Sequence, residues 1–164
     1  MNDRGRIDRR FVALFAALVC LVLGGVAQAQ STAVIPPIPA GQARIWVYRD
    51  IQASALPTVP LVRFNGAIAG ASYQGGTFYR DMPPGPYHIT VDSIGQDVNQ
   101  DSYVTLAAGQ QAYVQIQQLD NWDEEPYQPT SPTFYAWLRP PAMGYGAVLR
   151  STFYGGGPLQ AAIR

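Results

Sequence analysis

The chain has no lysine, one cysteine and one histidine in 164 residues, and only 13% of its residues are charged. Each scarcity excludes a kind of chemistry. Without lysine there is no polybasic patch for an acidic membrane surface. With 11 arginines balanced by 11 acids, the chain has no electrostatic footprint of the kind nucleic acid requires. A single histidine and a single cysteine cannot build a zinc site of the usual kind. No cofactor is implied by any motif.

What is present at the start has an address rather than a fold. Met1–Arg10 carries four arginines against two aspartates, and Phe11–Val26 is a run of sixteen uncharged residues. Ala27-Gln28-Ala29 then gives a small-x-small pattern. A basic n-region, an apolar h-region and this site predict a secretory signal peptide over residues 1–29, cut between Ala29 and Gln30. The apolar run is short of the roughly 20 residues of a spanning helix, so no stable membrane span is expected after cleavage. Val19 before Cys20 does not fit a lipid-attachment box. In Arg9-Arg10-Phe11 the phenylalanine falls one place too early for a twin-arginine signal. The predicted location is the periplasm or cell envelope. After cleavage the chain would keep seven arginines against nine acids, a formal charge of −2. The only cysteine would leave with the signal, so no disulfide is expected.

Residues 30–42 form a proline-rich linker, stiffened by Pro36, Pro37 and Pro39. Strand signals follow at even spacing. Ala43–Arg49 sets Ile45 and Val47 on one face and Arg44, Trp46 and Tyr48 on the other, which suits a sheet interior or a face covered by the tail. Asn65-Gly66, between Val62-Arg63-Phe64 and Ala67-Ile68-Ala69, predicts a type I′ hairpin, because both residues tolerate positive φ. Gly75–Asp92 holds two strands, Thr77–Met82 and Tyr87–Asp92, about a Pro83-Pro84-Gly85 corner. Ser102–Leu106 and Gln111–Leu119 continue the alternation, and Thr133–Arg139 closes it. Ala142–Thr152 fits a short helix or another strand, and Phe153–Arg164 reads as a loose tail. The expected fold is an all-β, antiparallel β-sandwich of about seven strands over residues 43–139, with a C-terminal extension over 140–164.

The runs ARIWVYRD, VRFNGAIAG, GGTFYRDMPPGPYHITVD and SYVTLAAGQQAYVQIQ together resemble a family of small bacterial envelope proteins. These are secreted proteins and lipoproteins that carry a domain of unknown function. At the fold level the runs are similar to PEGA-type and transthyretin-like β-sandwich domains. The resemblance covers Ala43–Leu119 and rests most on the aromatic-Asp-x-Pro-Pro-Gly-x-Tyr corner and the Ala-Gly-Gln-x-x-Tyr-Val run. It implies an architecture and carries over no catalytic residue. The chain departs from the family in lacking a lipid-attachment cysteine and in its aromatic C-terminal extension.

The candidate chemistry is sparse. His88 sits on an alternating strand, and neither Ser93 nor Ser102 stands in a nucleophile motif with it. Asp120, Asp123, Glu124 and Glu125 cluster without EF-hand spacing, and Asp92, Asp97 and Asp101 form a sparser set. Aromatic residues gather near the acidic loop. Trp122, Asp123, Tyr127, Tyr135 and Trp137 are the candidate ligand-binding residues, set against the alternative that these rings cover the sheet. The function expected is a non-enzymatic structural or protein-interaction module with an unknown envelope partner. The alternative is a glycan or small-ligand binder using residues 120–137.

Overall fold

The computed structural model describes residues 35–53, 55, 57–119 and 132–159. Among these, the strands are β1 (Ala43–Arg49), β2 (Leu61–Phe64), β3 (Ala67–Ala71), β4 (Gly76–Met82), β5 (Gly85–Val91), β6 (Ser102–Leu106), β7 (Gln111–Leu119), β8 (Thr133–Arg139) and β9 (Thr152–Gly155). One helix, α1 (Pro141–Arg150), lies between the last two. Sheet A has the order β8-β7-β1-β4-β9, and sheet B the order β3-β2-β5-β6. The predicted signal segment and the loop over 120–131 lie outside the described residues.

The hairpin is built as its turn residues require. Asn65 has φ 49° and Gly66 φ 83°, so both central residues take the positive φ of a type I′ turn. The Pro83-Pro84 corner does something different. It carries the chain from β4 in sheet A to β5 in sheet B, so the two strands it joins are not paired with each other. Tyr87 secures the corner, its hydroxyl donating to the Pro83 carbonyl at 2.5 Å.

Three sequence expectations are corrected here. Sheet B is antiparallel, but sheet A is mixed: β1 runs parallel to β7 and β4 parallel to β9. The described residues hold nine strands rather than about seven. Phe153–Gly155, expected as the start of a loose tail, instead belongs to an edge strand with Thr152, and beyond it Asp81 N donates to Gly157 O at 2.8 Å. The physical reason is the path of the chain: parallel pairing needs a crossover, which strands of sheet B supply between β1 and β7, while α1 carries the chain across the outer face of sheet A from the β8 edge to the β9 edge. Ala147, Val148 and Phe153 of this segment pack against sheet A.

One core lies between the sheets. Ile45, Val47, Val114 and Ile116 of sheet A meet Val62, Phe64 and Ile89 of sheet B, and all are buried. Burying such aliphatic side chains contributes roughly 1.5–3 kcal/mol each. A second, smaller cluster lies on the outer face of sheet A, where Trp46, Tyr48, Tyr79 and Tyr113 pack with Ala147 and Val148 of α1 and with Phe153. This explains why every residue of β1 is buried.

Candidate functional site

The outer cluster positions the most shaped apolar surface among the described residues. Its frame is an ion pair. Arg44, 2% exposed, donates from Nε to Asp81 Oδ1 at 2.7 Å and from Nη2 to Asp81 Oδ2 at 2.9 Å. The two residues face each other across the β1–β4 ladder. The planar guanidinium lies 3.8 Å from the Tyr79 ring centroid, and Tyr79 meets Trp46 edge to face at 4.9 Å. The third donor of Arg44, Nη1, reaches out of the sheet to the Pro36 carbonyl at 2.8 Å. A residue of β1 thus pins the proline-rich lead-in to the sheet. The lead-in turns into β1 at Gly41, φ 75°, with Gln42 N donating to Pro39 O at 3.1 Å.

The helix forms the other wall. Pro140 and Pro141 start it, where a missing N–H costs nothing. Gly144 is pressed onto the sheet: a Cβ there would fall 2.2 Å from Tyr113 Cβ. That contact turns Ala147 and Val148 inward and leaves Met143, Tyr145 and Leu149 at 61%, 56% and 59% exposure. Between the walls runs a groove of about 270 Å³. Ile35 and Ile38 flank it on one side, Tyr145 and Leu149 on the other, with Trp46 and Tyr113 at its floor. Trp46 Nε1 donates to Gln111 Oε1 at 2.8 Å, so the floor has no unpaired indole donor. Burial, then the nearby Tyr145, pushes the Tyr113 hydroxyl above its ordinary pKa, against a smaller opposing pull from Arg44. The groove therefore presents mostly apolar surface, and the one charged residue in its lining, Arg44, is paired with Asp81.

Of the predicted site residues, Trp122, Asp123 and Tyr127 lie outside the described residues, as do Ala27, Ala29 and Gln30. Tyr135 and Trp137 are both on the outer face of β8, ring centroids 5.4 Å apart. Tyr135 is buried and its hydroxyl donates to Asp97. That bond is the main reason its pKa is pushed up to about 12. Trp137 is half-buried, with the Arg139 guanidinium 5.0 Å from its ring centroid.

The sparser acidic set is dispersed into separate pairs. Asp92 takes a two-point bond from Arg63, at 2.8 and 3.0 Å; Asp97 takes the Tyr135 hydroxyl; Asp101 meets His88 Nε2. Each carboxyl is held below the usual range by that side-chain bond. No three potential metal ligands come together among the described residues. His88 also stacks flat on its cross-strand partner Tyr103, centroids 4.3 Å apart. Neither Ser93 nor Ser102 is bonded to His88: their hydroxyls donate to backbone carbonyls.

Sequence reasoning missed the groove residues Ile35, Ile38, Tyr145 and Leu149. A signal for them existed in two apolar residues set in a proline-rich lead-in and in the uncharged run of α1. Their meeting is a tertiary fact, made by the Arg44–Pro36 bond and by Gly144. Compared with known proteins, the chain matches no family model and no curated protein.

Proposed function

We propose that this protein is a non-enzymatic interaction module of the bacterial cell envelope, a transthyretin-like β-sandwich secreted through a cleaved signal peptide. The observation that carries the interaction reading is the groove on the outer face of sheet A. Apolar side chains exposed by more than half on a ten-residue helix suit contact with another polypeptide, since contiguous apolar surface marks binding sites. The floor is held by a buried ion pair and close glycine contact, so the surface is pre-formed and loses little entropy on binding. The secretory address rests on the N-terminal pattern alone.

Site-specific photo-crosslinking in intact cells tests this. A photoreactive residue at Leu149 should yield a discrete crosslinked partner, lost when Ile38 is changed to Asp. The same residue at Thr105, on sheet B, should not yield it. Identical patterns from both positions would sink the reading. The glycan alternative is supported by the neighbouring Tyr135 and Trp137 rings. It requires that Trp137→Gln abolish saccharide binding in a glycan screen without lowering the melting temperature.

A further inference from the structure

Strand β8 is an edge strand of sheet A, yet its edge is not open. β8 pairs with β7 with Phe134, Ala136 and Leu138 opposite Gln118, Ile116 and Val114. In this register the N–H and C=O groups of Phe134, Ala136 and Leu138 point away from β7. Among the described residues no strand lies there, but the connection between β5 and β6, together with Ser102 at the start of β6, meets them with a set of substitutes. Phe134 N donates to Ser93 Oγ at 2.9 Å. Gln100 Nε2 donates to Phe134 O at 3.1 Å. Ala136 N donates to Gln100 O at 2.8 Å. Ser102 Oγ donates to Ala136 O at 2.7 Å and accepts from Leu138 N at 3.3 Å. The Tyr135 hydroxyl then ties the same connection down through Asp97.

Three short polar side chains and one carbonyl therefore take the place of a neighbouring strand. The sequence beneath them shows why this matters. Thr133–Leu138 reads TFYAWL, six residues with no charge, no proline and no glycine. That is the composition of segments that pair with copies of themselves. Unprotected edges are usually defended by charge, proline or a bulge, and β8 has none of these before Arg139.

We infer that the β5–β6 connection is an edge guard, and that the β8 edge beneath it is a latent self-association site for β8 of a second copy of this chain. Two copies related by a two-fold axis would exchange main-chain hydrogen bonds antiparallel about Ala136 and join their two five-stranded sheets. The guard keeps the chain from doing so, because its side chains and the Gln100 carbonyl occupy the same donors and acceptors.

The test removes the guard and then removes the edge. In the full chain, Ser93→Ala, Gln100→Ala and Ser102→Ala are combined and compared with the unaltered protein by sedimentation and by hydrogen exchange. The guard-less variant is expected to sediment at twice the mass of the parent or more. Before association, at the lowest usable concentration, its amides at 134 and 138 should exchange about five-fold faster, the effect of each losing one bond worth about 1 kcal/mol, while the amide at 136 keeps its bond to the Gln100 carbonyl. Adding Leu138→Lys puts a charge on the edge and should return the variant to the parent's mass while exchange stays fast. A folded guard-less variant with the parent's mass at all concentrations would overturn the inference. So would association that Leu138→Lys does not reverse, because the contact would then lie elsewhere. Should the combined variant fail to fold by circular dichroism, Gln100→Ala alone, which removes only the bonds of its side chain, is read by the same two outcomes.

Discussion

On its inner face, sheet A meets sheet B through Ile45, Val47, Val114 and Ile116; on its outer face, Trp46, Tyr48, Tyr79 and Tyr113 meet a helix that begins with proline and holds two glycines. Alternate residues of the same strands serve both layers. The inner contact is aliphatic and non-directional, so it depends on volume and area. The outer contact is directional. It depends on a two-point ion pair, on a guanidinium over a ring and on one glycine that lets a helix touch a tyrosine. The comparison teaches that one sheet can have a face that tolerates repacking and a face that specifies geometry. The specified face is the one that builds the groove.

The largest break in this comparison is expected from the ion pair. Asp81→Ala leaves the Arg44 guanidinium buried without its carboxylate and should cost about 3–5 kcal/mol, read by chemical denaturation. The double replacement Arg44→Met with Asp81→Leu should recover most of that loss. If it also loses the groove crosslink at Leu149, the pair sets geometry more than stability.

Gly144→Ala comes next. The added methyl would fall 2.2 Å from Tyr113 Cβ, so α1 must shift, at about 1–3 kcal/mol. Trp46 fluorescence should change with it, because the helix covers that cluster. Ile45→Val, on the inner face, should cost only about 0.5–1.5 kcal/mol and leave the groove intact. Smaller still is Arg63→Ala. Its bond to Asp92 lies exposed on sheet B, where water and salt screen it, so the melting temperature should barely move.

The last prediction concerns ionisation. Burial raises the pKa of Tyr48, Tyr87 and Tyr113, and the Asp97 bond raises that of Tyr135 to about 12 from an ordinary 10.0. At least four of the ten tyrosines should therefore ionise late in an ultraviolet titration, and Asp97→Asn should advance one of them. The signs follow from linkage. The contribution of a raised Tyr135 is present below its ordinary pKa and is lost as pH rises through the folded value. The contribution of a lowered Asp97 is present above the usual carboxylate range and is lost as pH falls through its folded value.

Much of the strand pattern was legible without a structure. Ala43–Arg49, Ser102–Leu106, Gln111–Leu119 and Thr133–Arg139 are strands with the bounds their alternation indicates. The two faces of β1 were also legible, since Ile45 and Val47 alternate with Trp46 and Tyr48. The handling of Thr152–Gly155 was not. The run Gly155-Gly156-Gly157 suggests a loose tail, but here Gly156 serves close approach: a Cβ on it would fall 2.0 Å from Tyr79. Glycine frequency cannot distinguish freedom from crowding. The groove was illegible for a related reason: its two walls are separated by about a hundred residues of chain.

By itself the sequence determined what depends on neighbours along the chain. The Asn65-Gly66 turn, the period-two strands and the Pro83-Pro84 corner all follow from local sterics and local hydrophobic order. Tertiary structure alone decided which strands pair, and in which direction. β1 lies beside β7 in parallel, β9 lies beside β4, and Ser93, Gln100 and Ser102 seal β8. The reason is that a strand's backbone offers the same donors and acceptors to any partner. Only the global packing, with a helix crossing one face and a second sheet covering the other, selects among them.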